Sequence, residues 1–512
     1  MSDKIVKNLS FGDEAKNSIF NGIEKLTNAV SSTLGASGKC VILEDGIGKP
    51  VITKDGVTVA NSITLLDPIE NMGATLLKEA ARQTVKEAGD GTTTATVLAH
   101  SILTEAYKQK NLTQREIKDG IESACSKVIK YVEKVSIPVT GDMVNNVATI
   151  SANNDKELGE VIGSAFKEVG QTGVVTMEES VDDKTSYEVI NGATFDKSLK
   201  SNHFVTNEQN KSAELENPLV LIVENEIENI RKIQTVLEYV IKNNKSLLII
   251  GDSSPQVSSA LAMNKLKGNI KVNIIDAPDF GTYRKEKLQD LSLLTGATVI
   301  NEDLGDDLDM IGLEHLGSCV KSITNNEETI IQVQEINQEV QSIIDSLKVK
   351  IKETKLPGVI VSFEKLLSFL SCKVAVVKVG ASSEVELKEK KDRVEDAICA
   401  TKAAVKEGIV PGGGITLLNA SAVVKCNSEA EKILLEAIKA PYRTILSNAG
   451  LDEIYPERKG TGIDVITGKN VNMIKKGIID PSLVTKSALR NAVSVATTIL
   501  STDCVINNLR IQ

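Results

Sequence analysis

The residues with the clearest capacity for chemistry lie in the run Glu87-Ala88-Gly89-Asp90-Gly91-Thr92-Thr93-Thr94-Ala95-Thr96. One carboxylate stands between two glycines and is followed by three hydroxyls. Glycine reaches backbone conformations closed to other residues, and threonines opening a helix leave free N–H groups and a positive dipole end that suit an anion. A phosphate beside Asp90 is repelled unless a cation bridges the two, and Mg2+ is the usual bridge. The competing reading is an ordinary loop whose aspartate caps a helix. Other glycine-rich polar clusters share the theme: Thr33-Leu34-Gly35-Ala36, Lys54-Asp55-Gly56 and Gly412-Gly413-Gly414. No G-x-x-x-x-G-K-[ST] run occurs and no G-x-G-x-x-G follows a strand, so a nucleotide here would be held largely through backbone. Phosphoryl transfer to water also needs a group that orients the water in line. Asp55 and Asp396 are the available acids. Asp396 sits in the helical stretch Arg393-Val394-Glu395-Asp396-Ala397, where its alternative role is a solvated helix face.

These residues must be positioned by a largely helical framework. Ala15, Ile19, Ile23, Leu26, Val30 and Leu34 form one apolar stripe and predict a helix over 12–34 that ends at Gly35. Val41–Leu43 and Val51–Thr53 around Asp45-Gly46-Ile47-Gly48 predict a hairpin. Helical periodicity runs through Met72–Val85 and resumes at Val97–Ala106, which makes the Asp90 run a helix-loop-helix junction. Thr113-Gln114-Arg115-Glu116 has capping-box form and opens a helix to about Lys134, stopped before Pro138. Over 191–372 short apolar strands (Leu219–Val223, Leu247–Ile250, Val272–Ile275, Ala297–Ile300) alternate with helices, the mark of a parallel α/β layer. From about 400 helices return, at Ala403–Lys406, Ile433–Ile445 and Val484–Ser501. A helical region interrupted by an α/β insertion requires two crossings, hence a pair of antiparallel connectors. The predicted fold class is multidomain α plus α/β, with domains at 1–134 with 407–512, 135–190 with 374–406, and 191–373.

The totals narrow the function classes. A chain of 512 residues exceeds what one core usually serves. A formal charge of -10 disfavours a nucleic-acid partner. No apolar run approaches the roughly 20 residues needed to span a bilayer, so no membrane role is expected. The N-terminus lacks the apolar core of a signal peptide. The 7 cysteines are scattered and never form C-x-x-C, which suits a reducing compartment, and the 3 histidines lie far apart, against a zinc site or a serine triad.

Several segments together resemble the group I chaperonins along nearly the whole chain: Val51-Ile52-Thr53-Lys54-Asp55-Gly56-Val57, Glu70-Asn71-Met72-Gly73-Ala74, the Asp90 run, Thr149-Ile150-Ser151-Ala152-Asn153, Val385 to Lys391, and Ala403-Ala404 through Gly412-Gly413-Gly414. The resemblance implies the chaperonin fold: a mostly helical equatorial domain from the two chain ends, a small intermediate domain from the connectors, and an inserted α/β apical domain. It implies ATP and Mg2+ as ligands, with K+ as a further candidate. Thr33, Leu34, Gly35 and Ala36 would line the nucleotide, with Lys54 and Gly56 near its phosphates. Asp90 would ligate the metal beside Gly91, Thr92, Thr93 and Thr94. Ile150 and Ser151 would contact it from the descending connector. Gly412, Gly413, Asp464, Val465, Ile466, Ile478 and Asp480 would meet ribose and adenine, Asp464 standing where relatives carry asparagine. Asp396 would complete the hydrolytic site and Asp55 would help position water.

The resemblance further implies homo-oligomeric heptameric rings, single or double, that hold unfolded or misfolded polypeptides and promote their folding as ATP moves the domains. The apolar rim would comprise Leu199, His203, Phe204, Ile233, Gln234, Leu237, Leu261 and Met263, with Ala262 and Ser258 beside them. Relatives carry tyrosine or an aliphatic residue at 203, 234 and 258, so apolar capture is expected to be weaker here. At the return hinge Ser371-Cys372-Lys373 replaces a glycine pair, while Gly192 remains at the outgoing hinge, and a narrower apical swing is expected. The glycine- and methionine-rich tail of many relatives is not matched, which leaves a co-chaperonin an open partner. The alternative function is an ATP-regulated ring that holds clients without encapsulation. The expected location is the cytoplasm, or an organelle matrix after loss of a transit peptide.

Overall fold

The computed structural model describes residues 7–508 except 45–47, 142, 153–154, 171–172, 181, 209–210, 279–280, 303–304, 307–310, 334–337, 354–362, 364–365, 368, 372 and 457. The tip of the predicted hairpin, Asn153 and hinge residue Cys372 therefore lie outside the described residues. The chain forms two compact units, one of Met1–Ser164, Ser180–Thr185 and Val379–Gln512, the other of Ala165–Glu179 and Ser186–Lys378.

The first unit is built on helices Gly12–Ser31, Pro68–Ala88, Thr92–Tyr107, Gln114–Val135 and Ser482–Leu500. Their boundaries follow local chemistry. Asp67 accepts from the Ile69 and Glu70 N–H groups at 2.8 and 2.9 Å, Pro68 follows it, and the helix ends on Gly89 at φ 73°. Thr113 and Glu116 form the predicted capping box. Of the stripe read from sequence, Ala15, Ile19, Ile23, Leu26 and Val30 are buried with Leu77, Leu98, Ile102, Leu103 and Leu489, while Leu34 lies beyond the helix end at Ser31 and is half-buried. Each buried Leu, Ile or Val side chain contributes about 1.5–3 kcal/mol of burial. Gly22 and Gly73 let the first two helices touch: a Cβ on either would overlap the backbone of Glu70 or Ile19. Lys7–Phe11 pairs antiparallel with Cys504–Asn508, which joins the chain ends, and Val41–Glu44 pairs with Pro50–Thr53 as the predicted hairpin. The segment read as one helix over Ile433–Ile445 is two, Glu429–Ala437 and Ala440–Asn448, because Pro441 removes an internal N–H and opens a new first turn.

In the second unit, Leu219–Val223 pairs in parallel with Ser246–Ile250, which pairs in parallel with Lys271–Ile275, while Val299–Ile300 joins the other side of Leu219–Val223. Alternation across this sheet splits the apolar runs between two cores. Leu221, Val223, Leu247 and Ile249 enter one; Val220, Ile222, Leu248 and Ile250 enter the other. Beside it lies a six-stranded sheet in the order Val174–Glu179, Lys373–Val379, Ser186–Phe195, Thr329–Val333, Lys321–Thr324, Ala213–Glu216. Ser186–Phe195 pairs antiparallel with Lys373–Val379 through its first half and with Thr329–Val333 through its second. Of the expected connectors 135–190 and 374–406, residues 186–190 and 374–378 run antiparallel within this ladder. Gly192 sits inside this ladder, where a Cβ would overlap the Ile331 carbonyl.

Candidate functional site

The site belongs to the first unit and grows from the Asp90 loop. Helix Pro68–Ala88 stops at Gly89, and helix Thr92–Tyr107 starts from Gly91 at φ 94° with no side chain capping it. Its first N–H groups and the hydroxyls of Thr93 and Thr94 are left for an anion. Helix Ser482–Leu500 steadies the junction: Asn491 donates to Thr84 Oγ1 at 3.2 Å, and Val484 sits where a Cβ on Gly91 would be. Asp55 caps the short helix Gly56–Ser62, accepting from Val57 and Thr58 N–H at 3.1 and 2.7 Å. A Cβ on Gly56 would overlap Thr93 Oγ1, so the glycine is what lets this helix rest on the threonine turn. Lys54 is half-buried at the same corner.

The third acid arrives on helix Glu384–Glu407, begun by Ser383, whose hydroxyl accepts from Glu386 N–H at 3.3 Å. It closes a cavity of about 150 Å³ lined by Asp55, Asp90, Thr92, Asp392, Glu395 and Asp396, with Val57, Thr58, Val85 and Gly89. Five carboxylates thus share one small space. Withdrawal from bulk water, then the charges of Asp90, Asp55, Glu395 and Asp392, push Asp396 up to about 9. Burial and the nearby Asp55 raise Asp90, against a lowering hydrogen bond from the Gly91 N–H. Asp392 is raised by burial and Asp55, and Glu395 by burial and Asp392. Asp396 keeps an exposed face, so the crowding of like charges is the part of its shift that a cation would relieve.

The residues fit a magnesium–nucleotide ligand. Among the described residues no three His, Cys, Asp or Glu side chains form a ready metal cage. Mg2+ needs none, since it takes one or two carboxylates and completes its shell with phosphate oxygens and water. Asp90, beside an uncapped helix start, has the donor chemistry such a partial site would need.

The other residues expected to line a nucleotide fall into three groups. Thr33 is buried, with its hydroxyl donating to the Val30 carbonyl at 2.8 Å, Gly35 turns at φ 85°, and Asn448 holds the Leu34 carbonyl at 2.9 Å; Ala36 is exposed. Strand Ile409–Pro411 pairs with Ile479–Pro481, which brings Gly412 N–H to the Ile478 carbonyl at 3.0 Å and Gly413 N–H to Asp480. Burial, then the charge of Asp90, push Asp480 up to about 7, so Asp480 and Asp90 are electrostatically coupled. Ile150 packs with Val147, Ala404, Ile409 and Ile479, and Ser151 ends its helix. In the third group, Asp464 is turned into its own hairpin, accepting from Ile466 N–H at 3.1 Å and the Thr467 hydroxyl at 2.8 Å. Both partners donate, so each carboxylate oxygen accepts one hydrogen bond within this turn. Val465 and Ile478 pack against Ile415 and Met473, whereas Ile466 is 72% exposed at the tip, open apolar surface of the kind a base covers.

Asp392 and Glu395 were not singled out as site residues by sequence reasoning. The signal existed: Asp392 precedes Asp396 by four residues, one helical turn, and shares its face.

In the second unit the expected apolar rim needs correction. Phe204, Ile233 and Leu261 are at most 1% exposed and Leu237 is 9% exposed, all in the core under the parallel sheet, with Ala262 buried and Leu199 partly buried beside them. These positions, implied as a client surface by the resemblance, lie on the inward face of their elements. His203, Gln234 and Met263 do face outward, Gln234 donating to Glu238 at 2.6 Å. Ser258 is half-buried and shares a 2.8 Å hydrogen bond with Ser253.

A helical unit assembled from both chain ends, a parallel α/β sheet inserted between them, and a glycine-threonine anion cradle met by a downstream acid define a chaperonin. The chain belongs to the TCP-1/cpn60 chaperonin family, whose model matches residues 26–510. Among solved structures it is similar to the chaperonin gp146 from the bacteriophage EL 2 (Pseudomonas aeruginosa) in the presence of ATP-BeFx. In crystal form II the TM-score is 0.75 at 21% identity, covering 99% of this chain and 100% of that one. In crystal form I the TM-score is 0.67 at 21% identity, covering 98% and 99%. This likeness spans both units and extends the fold to the whole chain.

Proposed function

We propose that this chaperonin binds and hydrolyses ATP with Mg2+ at the Asp90 cavity and uses the cycle to move its domains around non-native polypeptides. The observation that carries the reading is the meeting of Asp55, Asp90 and Asp396, from three distant stretches, around one cavity at an uncapped helix start. The presence of ATP-BeFx with the structurally similar gp146 supports nucleotide as the ligand. Asp90 and the Thr92–Thr94 turn hold the phosphate end, and Asp480 with Gly413 the ribose end. Mg2+, when bound, supplies charge neutralisation between Asp90 and the phosphates. Asp55, fixed by two backbone N–H groups, and Asp396 orient the attacking water and accept its proton.

The three-part division at 1–134 with 407–512, 135–190 with 374–406, and 191–373 is proposed as the set of moving bodies. Differential binding of ATP between conformations is enough to drive them, so hydrolysis can be slow. We also propose homo-oligomeric rings, heptameric and single or double, in the cytoplasm. Phosphate release with Mg2+ and ATP tests the core of this reading. Turnover abolished by chelation is expected, and a purified ring that binds no ATP would overturn it.

A further inference from the structure

Helix Glu384–Glu407 faces the Asp90 loop with a regular seam. Asp392, Asp396, Cys399 and Ala403 follow at spacings of four, three and four, which places them on one side of the helix. The two acids face the cavity, whereas the two small residues make the contact. Ala403 packs with Ala88 and Val484. Cys399 sits on Gly89: a Cβ built there would overlap the Cys399 Cβ and lie 3.0 Å from its Sγ. Gly89 is itself fixed at φ 73°, with its N–H on the Val85 carbonyl at 2.6 Å.

We propose that Cys399 is a positioning residue for Asp396, its side chain acting as the spacer that sets how closely the Asp396 helix approaches the Asp90 loop. The inference rests on the nucleotide reading of the cavity. Residue 399 lies one turn, about 5 Å along the axis, from residue 396, and its neighbour across the gap is the last residue before Asp90. The thickness of the side chain at 399 therefore fixes the reach of the acid. Cysteine suits the place as a small apolar filler. Burial, then the charges of Glu395 and Asp396, push its thiol up to about 12, so it stays neutral against these acids. A bulkier side chain tips the helix outward, and a misplacement of about 1 Å in a catalytic group costs on the order of 10²-fold in rate.

The test uses the full chain and four proteins: the original, Asp396→Asn, Cys399→Ser and Cys399→Leu. Hydrolysis of Mg-ATP is read as kcat, and affinity is read separately with a fluorescent ATP analogue. The expected result is that Cys399→Ser keeps kcat within about threefold, while Cys399→Leu loses about 10²-fold with affinity within about threefold. Should the leucine variant fail to fold, Cys399→Val takes its place, with a loss of about tenfold expected. A readout independent of turnover is the alkylation rate of each cysteine by mass spectrometry, in which Cys399 is expected to lag behind exposed Cys426. A bulky variant with kcat unchanged, a parallel loss of affinity and kcat, or Cys399 alkylated as fast as Cys426 overturns the proposal. Loss of turnover in Asp396→Asn beside an active Cys399→Leu removes the spacer alone. An original chain without Mg-ATP turnover removes the nucleotide reading and the spacer with it.

Discussion

Replacing Asp396 by asparagine keeps the shape of the side chain and removes one of five carboxyl groups from a cavity of about 150 Å³. Two consequences follow in opposite directions. An ATP molecule brings negative charge into this cavity, and burial and neighbouring acids push Asp396 up to about 9, so replacing it by a neutral amide should not weaken binding through electrostatics; affinity is expected to hold or rise slightly. Hydrolysis, by contrast, loses the group that accepts the proton of the attacking water. Such a group contributes on the order of 10²- to 10⁴-fold, or about 2.7 to 5.4 kcal/mol at 1.36 kcal/mol per tenfold. Asp90→Asn should behave differently, because Asp90 is the proposed metal ligand at the helix start: its loss should weaken Mg-dependent binding as well as turnover. The assay pairs phosphate release under single-turnover conditions with equilibrium titration of a fluorescent ATP analogue, at fixed Mg2+ and salt. An Asp396→Asn protein with a rate within threefold of the original would refute the assignment. So would an Asp396→Asn protein that no longer binds nucleotide, since that would make the acid a binding rather than a hydrolytic group.

Other outcomes follow from the same geometry. Carboxyls whose folded pKa is raised bind more protons folded than unfolded, so in nucleotide-free protein stability should fall as pH rises from about 4 toward the value of about 9 at Asp396; thermal unfolding across that range should show it, with a shallower slope in Asp396→Asn. Glu431 joins two helices, accepting from Lys127 at 2.7 and 2.8 Å, Ser123 at 2.8 Å and Asn427 N–H at 2.8 Å. Burial acts to raise its carboxyl, yet these donors hold it below the ordinary range. Glu431→Ala should destabilise by about 2–3 kcal/mol in urea titration, the partial exposure of Lys127 keeping the loss below that of a fully buried pair. Phe204→Ala should cost about 3–5 kcal/mol as a core deletion, whereas exposed Met263→Ala should leave the unfolding midpoint unchanged; equal stability of the two would restore Phe204 to the surface.

Much of this architecture was legible because it follows periodicity. The Ile19–Ile23–Leu26–Val30 stripe, the capping box at Thr113 and the apolar runs at Leu219 and Leu247 each point to one element by local physics alone. The six-stranded sheet was less visible, because a strand such as Ser186–Phe195 carries few strongly apolar residues and is held by partners on both sides that are remote in sequence. Tertiary context also decided the rim. Ile233, Leu237 and Leu261 were expected at a client surface from the resemblance alone, and the structure buries them in the core. At the site, Asp90 and Asp55 announce themselves by glycine and threonine neighbours. Asp392 and Cys399 do not, since their roles arise only when a helix from more than 300 residues downstream lies against the loop.

The central claim is that nucleotide hydrolysis at the Asp90 cavity drives work on other polypeptides. The direct measurement is the refolding yield of a chemically denatured client with ATP, comparing the original chain with Asp396→Ala, each with and without a co-chaperonin. The account predicts ATP-dependent recovery by the original chain and its loss in Asp396→Ala. Equal recovery by both proteins would contradict it.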